Sequence, residues 1–220
     1  MAKLRELNPE WSCRVFNDQE MDEYLVTHLG NDFKRLIRKL DPLYRVVLAD
    51  VFRYLVIYEE GGVYLDIKST VSRPLNDILR ASDTFVLSQW PNRMGEAAQG
   101  AGVYPELARV AGGEFQQWFV IAEKNHPFLR RVLDQVIDNM NCYSAPWFGV
   151  GRIGVLRVSG PIAYTLAMAP VLHKCPVRFM HSAKEGLIYS LYQTPSRPHS
   201  HAHALDPNHY SKLEKPLFSD

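Results

Sequence analysis

The chain reads as an α/β protein, with a mixed sheet lying between helices, and three observations carry that reading. Segments with helical spacing of apolar residues alternate along the chain with short segments that alternate apolar and polar. A long helical segment stops at Gly61-Gly62 and is followed at once by VYLDIK, which has strand periodicity. At 220 residues, 46% hydrophobic and 22% charged, the composition is that of one globular domain with a sizeable core.

Taken in order, Cys13 to Phe16 is the first candidate strand, and Asn17 and Asp18 follow as turn or cap residues. Gln19 to His28 places Met21, Tyr24, Leu25 and His28 at helical spacing, with Gly30 as a stop and His28 as an edge histidine. Phe33 to Leu40 is a second amphipathic segment. Asp41-Pro42 starts the long helix, because the carboxylate can accept from first-turn N–H groups and proline sits where no N–H is needed. That helix is expected to reach about Glu60, with Gly61 as its left-handed stop. Val47, Val51, Tyr54 and Tyr58 form its buried stripe, and Asp50 and Arg53 lie on the adjacent stripe at the border of the buried face.

Val63 to Ile67 then reads as a strand, with Val63, Leu65 and Ile67 to one side and Tyr64, Asp66 and Lys68 to the other. Asp66 and Lys68 thus share the strand's C-terminal end, where open α/β sheets bind ligands. Phe85 to Ser88 and Gln117 to Glu123 are further strands, separated by a Gly- and Ala-rich loop or lid, Asn92 to Gly113. Asn125 caps a helix running to about Met140, Ser144 to Val158 reads as irregular, and Ser159-Gly160-Pro161 opens a helix to Met168 whose N–H groups could face an anion. Short strands at Val177–Met180 and Leu187–Leu191 precede a polar tail. The domain is bounded at 1–195, and 196–220 is a His-containing tail packing on or over the site.

Composition excludes several classes. The formal charge is +1 with Lys and Arg scattered, which is not the surface of a nucleic-acid binder. Cys13, Cys142 and Cys175 lack CxxC spacing, so neither a disulfide framework nor a structural zinc site is expected, and a reducing compartment is. The start, MAKLRELNPEW, has no apolar signal-like core, and no apolar run approaches the roughly 18 residues of a membrane span. A cytoplasmic protein is expected, with peripheral contact at a membrane compatible with it.

Asp50, Arg53 and Asp66 are the residue types needed to grip sugar hydroxyls and handle a diphosphate leaving group. ADVFRYLVIYEEGGVYLDIK also resembles the core of the DXD-motif sugar-binding region of glycosyltransferases: Och1-like mannosyl- and galactosyltransferases, capsular polysaccharide transferases and, more distantly, glucosylating clostridial toxins. Similarity of a weaker kind runs through NPEWSCRVFND, QQWFVIAEKNHPFL, VLRVSGPIAY and NHYSKLEKP. The resemblance implies a GT-A-like (Rossmann-like) mixed sheet flanked by helices, and a hexosyltransferase that retains anomeric configuration. It implies a UDP- or GDP-sugar donor and a glycan or lipid-linked hydroxyl acceptor, in surface glycan or glycolipid synthesis. By the same resemblance Asp50, Arg53, Gly61, Gly62 and Tyr64 match the donor-sugar motif. Ser159 and Gly160 join them at a helix start, Asp66 and Lys68 are the catalytic candidates, and Mn²⁺ or Mg²⁺ would sit at Asp66 with His203.

Two departures qualify that pattern. Lys68 stands where the last acid of the DXD motif is expected, and the chain begins downstream of the family's usual first strand, of the type IPKIIHQ-W. Lys68 is read either as a positive charge at the diphosphate, in place of or beside a cation, or as a solvent-exposed lysine at a strand end. Bland alternatives stand beside the other residues: an ordinary helix ion pair for Asp50–Arg53, a turn residue for Asp66, a cap for Ser159-Gly160, and a flexible tail for the alternating His199, His201 and His203. Trp118 and Trp147 can stack on a sugar, with buried core as the default. His209-Tyr210 is a further candidate to close over the donor. The rival to the enzyme is a non-catalytic nucleotide-sugar-binding remnant of the same fold.

Overall fold

A helix with almost no solvent face runs through the middle of the molecule, and the other elements are laid around it. The computed structural model describes residues 2–191 and 209–219. In chain order the elements are α1 (Ala2–Leu7), α2 (Asp18–Lys39), α3 (Val46–Glu60), β1 (Gly62–Leu65), β2 (Thr70–Val71), α4 (Leu75–Ile78) and β3 (Phe85–Leu87). After them come β4 (Phe119–Ala122), α5 (Pro127–Asn141), α6 (Ala145–Phe148), α7 (Gly151–Val158), α8 (Pro161–Met168), β5 (Arg178–Phe179) and β6 (Leu187–Ile188).

The central helix is α3. Asp41 accepts from the Leu43 amide at 2.9 Å and Pro42 opens a 3₁₀ turn, Pro42–Tyr44, so the expected helix start is present but the α-helix itself begins four residues later. From Val47 to Ile57 all residues but Ala49 are buried, which is what an apolar composition on every face requires. Asp50 and Arg53 are therefore not at a border: they are 1% and 6% exposed.

Four strands form a mixed sheet in the order β1-β4-β3-β5, with β4 antiparallel to both neighbours and β3 parallel to β5. A separate pair joins β2 to β6. The pleat sorts side chains as its period of two demands. Phe85, Leu87, Val120 and Ala122 face the core shared with α3, α5, α7 and α8, whereas Val86, Phe119 and Ile121 face a second apolar layer with Leu75 and Ile78 of α4 and Leu4 and Leu7 of α1. The sheet is thus flanked by helices, in keeping with the mixed α/β class and a GT-A-like arrangement.

Several local expectations are corrected. Cys13–Phe16 joins no ladder; it is held by the Arg14–Glu60 ion pair at 2.9 Å and by the Phe16 ring against Phe52 and Tyr24. Gly30, at φ 76° and ψ −168°, is non-helical and divides α2 into two helical segments, as the expected stop there requires. The first strand stops at Leu65, because the chain turns with Ser69 N donating to Asp66 O at 2.7 Å, and Ile67 is left 75% exposed. Asn125 adopts φ 60° and gives its amide to Tyr58 O, so His126 is the residue that caps α5. Ser144–Val158 holds two short helices, α6 and α7, separated by Gly149 at φ 83°. Loop 92–113 is tied down by Asn92, which donates to the Ala101 and Gly112 carbonyls.

One stretch, Gly151–Lys174, is long and apolar enough by composition to cross a membrane, contrary to the expectation from apolar runs. Two thirds of its most apolar window is buried inside the fold, and Gly160-Pro161 breaks it, so it serves here as core. Leu217 and Phe218 of the segment 209–219 also join the core: Leu217 is fully buried and exchanges hydrogen bonds with Asp41 and Tyr143. The boundary expected at 195/196 lies outside the described residues, as do His199, His201 and His203.

Candidate functional site

The site is assembled where α3 hands over to β1. Gly61 and Gly62 take φ 73° and 97°, which turns the chain back along its helix, and a Cβ on Gly61 would lie 2.8 Å from the Lys124 backbone nitrogen. Because of that turn, β1 runs beside α3 and brings Tyr64 and Asp66 to Arg53.

Arg53 is the hub. Its guanidinium reaches Asp50 Oδ1 at 3.2 Å and Asp66 Oδ1 at 3.3 Å, and it donates to the carbonyls of Gln117 at 3.0 Å and Ala49 at 3.3 Å. The Tyr64 ring lies under it, 5.3 Å away, and the Tyr64 hydroxyl donates to Asp66 Oδ1 at 3.2 Å. Burial opposes the Arg53 charge, but Asp66, Tyr64 and Asp50 outweigh it and hold the group firmly protonated.

Behind Arg53, Asp50 is enclosed. Ser159 Oγ donates to Oδ2 at 2.7 Å, and Gln117 Nε2 donates to Oδ1 at 3.2 Å. Burial pushes the Asp50 carboxyl up to about 6, against the pull of Arg53, Ser159 and Gln117. The Tyr54 hydroxyl closes the pocket between Gln117 Oε1 and the Ser159 carbonyl, and its ring stacks on Tyr164.

At the other end the cluster opens. Asp66 is 17% exposed and Lys68 23%. The Lys68 ammonium lies 3.9 Å from Asp66 Oδ2 and 4.8 Å from the Tyr189 ring centre, and burial lowers its pKa from the ordinary lysine value. Tyr189 packs edge-on against Trp90 and at a tilt against Trp118. Tyr210 comes in from the C-terminal segment: burial raises its hydroxyl to about 12, with the Asp50 charge adding to the rise.

The structure therefore brings together Asp50, Arg53, Tyr64, Asp66, Lys68 and Ser159. Ser159 is fully buried and spends its hydroxyl on Asp50, and the Gly160 amide donates to Val155 O at 2.9 Å, so neither presents a free group to an anion at the start of α8. Gly61 and Gly62 act through the turn. Trp118 is buried, while Trp147 is 83% exposed, against the default of a core position. Two surface grooves, one along Leu36, Met140 and Phe218 and one along Gln135, Trp147 and Leu166, share no residue with this cluster.

The chemistry of the donors does not fit a divalent metal. Asp66 Oδ1 is taken by Arg53 and Tyr64, and Oδ2 faces Lys68, whereas such a cation needs several oxygen ligands. Among the described residues no group of three His, Cys, Asp or Glu side chains is placed to hold one, and His203 lies outside them.

Gln117, Tyr54 and Tyr189 were not singled out by the sequence. Strict alternation back from Phe119 and Ile121 would turn Gln117 away from α3. Instead Trp118 and Phe119 both face the second apolar layer, and this slip delivers Gln117 to Asp50 and Tyr54. The signal was a glutamine beside an apolar strand, a polar group that burial obliges to find partners.

The chain is similar to known proteins over part of its length. The family described as "Glycosyltransferase sugar-binding region containing DXD motif" matches residues 1–85, which include Asp50, Arg53 and Asp66. An initiation-specific alpha-1,6-mannosyltransferase of Candida albicans is 26% identical over 137 residues, 60% of this chain and 34% of that protein. Inositol phosphoceramide mannosyltransferase 3 of Schizosaccharomyces pombe is 31% identical over 75 residues, 34% of this chain and 20% of that protein. An initiation-specific alpha-1,6-mannosyltransferase of the same yeast is 22% identical over 179 residues, 76% of this chain and 42% of its own length. The chain spans less than half the length of these relatives.

Proposed function

From a chain whose residues 1–85 carry the sugar-binding region of the DXD-motif glycosyltransferases, we propose a glycosyltransferase that moves a hexose from a nucleotide-diphosphate sugar to a hydroxyl acceptor. The observation that carries it is the Arg53 hub, which fixes two carboxylates at 3.2 and 3.3 Å, beside the partly exposed Asp66 and Lys68. Asp66, with one oxygen facing the opening, is suited to accept from sugar or ribose hydroxyls, and Arg53, its N–H groups spent on Asp50, Asp66 and two carbonyls, holds that carboxylate in place. Asp50, held by Ser159 and Gln117, keeps Arg53 charged and fixed, so the ligand meets an Asp66 that needs no rearrangement.

Both site carboxylates are engaged by Arg53, which suits a reaction in which the departing phosphate, not a protein base, takes the acceptor's proton. Retention of anomeric configuration is the stereochemistry proposed with it. The relatives' names make mannose the first donor sugar to test, and a glycan or glycolipid the first acceptor. Cys13, Cys142 and Cys175 are free thiols, in keeping with a cytoplasmic protein, and a lipid-linked acceptor would bring it to a membrane surface.

The test is turnover by the purified chain with a panel of UDP- and GDP-hexoses and glycan or glycolipid acceptors, read as released nucleoside diphosphate and new glycoside. Release and transfer are expected. Failure to hydrolyse or transfer from any donor would count against the enzyme. Calorimetric binding without turnover would favour the nucleotide-sugar-binding protein that Lys68, in place of an acid, also motivates.

A further inference from the structure

We propose that the Lys68 ammonium takes the place of a divalent cation at the donor diphosphate, so that this protein binds its nucleotide sugar without metal. The inference rests on the donor reading above. Its first support is charge. Asp50, Arg53, Asp66 and Lys68 sum to no net charge, whereas an acid at position 68 would leave two negative charges uncompensated, the charge that one divalent cation supplies. The single change from acid to lysine removes the electrostatic need for the ion.

The second support is availability. Among the described residues no hydrogen bond holds the Lys68 ammonium: its distance to Asp66 Oδ2, 3.9 Å, is an ion-pair contact beyond hydrogen-bond range. Among the described residues its three N–H groups thus keep hydrogen-bonding capacity for a ligand, while the ammonium is positioned 4.8 Å from the Tyr189 ring centre and the Lys68 carbonyl accepts from the Leu191 amide at 2.9 Å. The third support is the state of Asp66, whose oxygens already face Arg53, Tyr64 and Lys68. A cation added there would have to compete with Arg53, Tyr64 and Lys68 for the Asp66 oxygens, whereas a diphosphate would approach the partly exposed Lys68 ammonium.

In the reaction the bond between the anomeric carbon and the β-phosphate oxygen breaks with its electron pair on that oxygen, where the Lys68 N–H groups stabilise the added charge. The acceptor oxygen forms the new bond to the anomeric carbon, and its proton passes to the departing phosphate. Lysine is unchanged at the end, and no co-reactant is required.

Titration calorimetry of GDP and UDP, and of their hexose conjugates, on the full chain tests the assignment in EDTA and in Mn²⁺. The wild type is expected to bind with the same affinity in both. Lys68→Ala should lose about ten- to a hundredfold in both, the worth of a charge-assisted hydrogen bond. Lys68→Asp should bind poorly in EDTA and recover in Mn²⁺, and Lys68→Arg should keep EDTA-resistant binding. An unchanged thermal transition in these variants shows that the fold is intact. Wild-type binding that needs Mn²⁺, or wild-type affinity in Lys68→Ala, overturns the role of Lys68 and leaves the donor reading standing. No binding of any of these ligands by the wild type, with or without Mn²⁺, overturns the donor reading and this inference with it.

Discussion

The inner end of the site and its mouth use the same chemistry, a carboxylate beside a cation, at two depths. At the inner end Asp50 and Arg53 have side chains 1% and 7% exposed, and each of their polar atoms is answered by protein. At the mouth Asp66 and Lys68 are 17% and 23% exposed and stand 3.9 Å apart, with donors still to be used. Burial explains the difference. A charge removed from water must be fully paired within the fold, so the inner pair is committed to structure, whereas the outer pair keeps enough water to exchange it for a ligand. Stability should therefore respond to the inner residues and ligand binding to the outer ones.

The largest expected effect tests that division directly. Arg53→Ala leaves Asp50 buried without its counter-charge and should destabilise the fold by about 3–5 kcal/mol, read as a lower urea midpoint. A loss no larger than that of a surface substitution would erase the distinction between the two ends. Asp66→Asn keeps the shape of the mouth and removes its charge. It is expected to lower kcat/KM about 10- to 100-fold, by loss of charge-assisted bonds, while the urea midpoint moves less than in Arg53→Ala. Ser159→Ala removes the hydroxyl from Asp50 Oδ2 and should destabilise by about 1–3 kcal/mol.

Proton linkage sharpens the same contrast. In the folded chain Asp50 holds its proton up to about 6, above the ordinary value of 3.8. A raised carboxyl contributes stability that is fully present below the unfolded value and is lost as pH rises through the folded one. The thermal transition of the wild type, measured relative to Asp50→Asn, should therefore fall between about pH 3.8 and 6 and level off above it. A difference that rises with pH would mean that Arg53 and Ser159 outweigh burial. The smallest effect belongs to neither end: Trp147→Ala, at an 83% exposed position, should change stability by no more than about 0.5 kcal/mol in a thermal melt.

Much of this architecture was legible because it rests on local signals. Asp41-Pro42 opens the 3₁₀ turn that leads into the long helix and Gly61 ends that helix, and the VYLDIK alternation gave the strand that follows, though it gave two residues too many: Ile67 is apolar and yet exposed, since the turn closed by Ser69 N to Asp66 O outranks its pattern. Residues 144–158 carry glycines and aromatics that mask their helices, and only packing against α8 and the C-terminal segment reveals them. Asn125 and His126 exchanged roles because a left-handed residue was needed to leave β4, and asparagine tolerates that conformation better than most.

The sequence by itself determined the mixed α/β class and the pairing of Asp50 with Arg53 one helical turn apart. It also placed Asp66 beyond a Gly-Gly stop and Lys68 two residues further, because helix spacing, caps and strand alternation are properties of neighbouring residues. Tertiary structure alone decided that Asp50 is enclosed, that Ser159 faces a carboxylate and not an anion, that Gln117 reaches α3, and that Tyr189 lies against Lys68 at the mouth. Those contacts join residues 67 to 121 positions apart, and no local periodicity encodes which distant side chain will satisfy a buried charge.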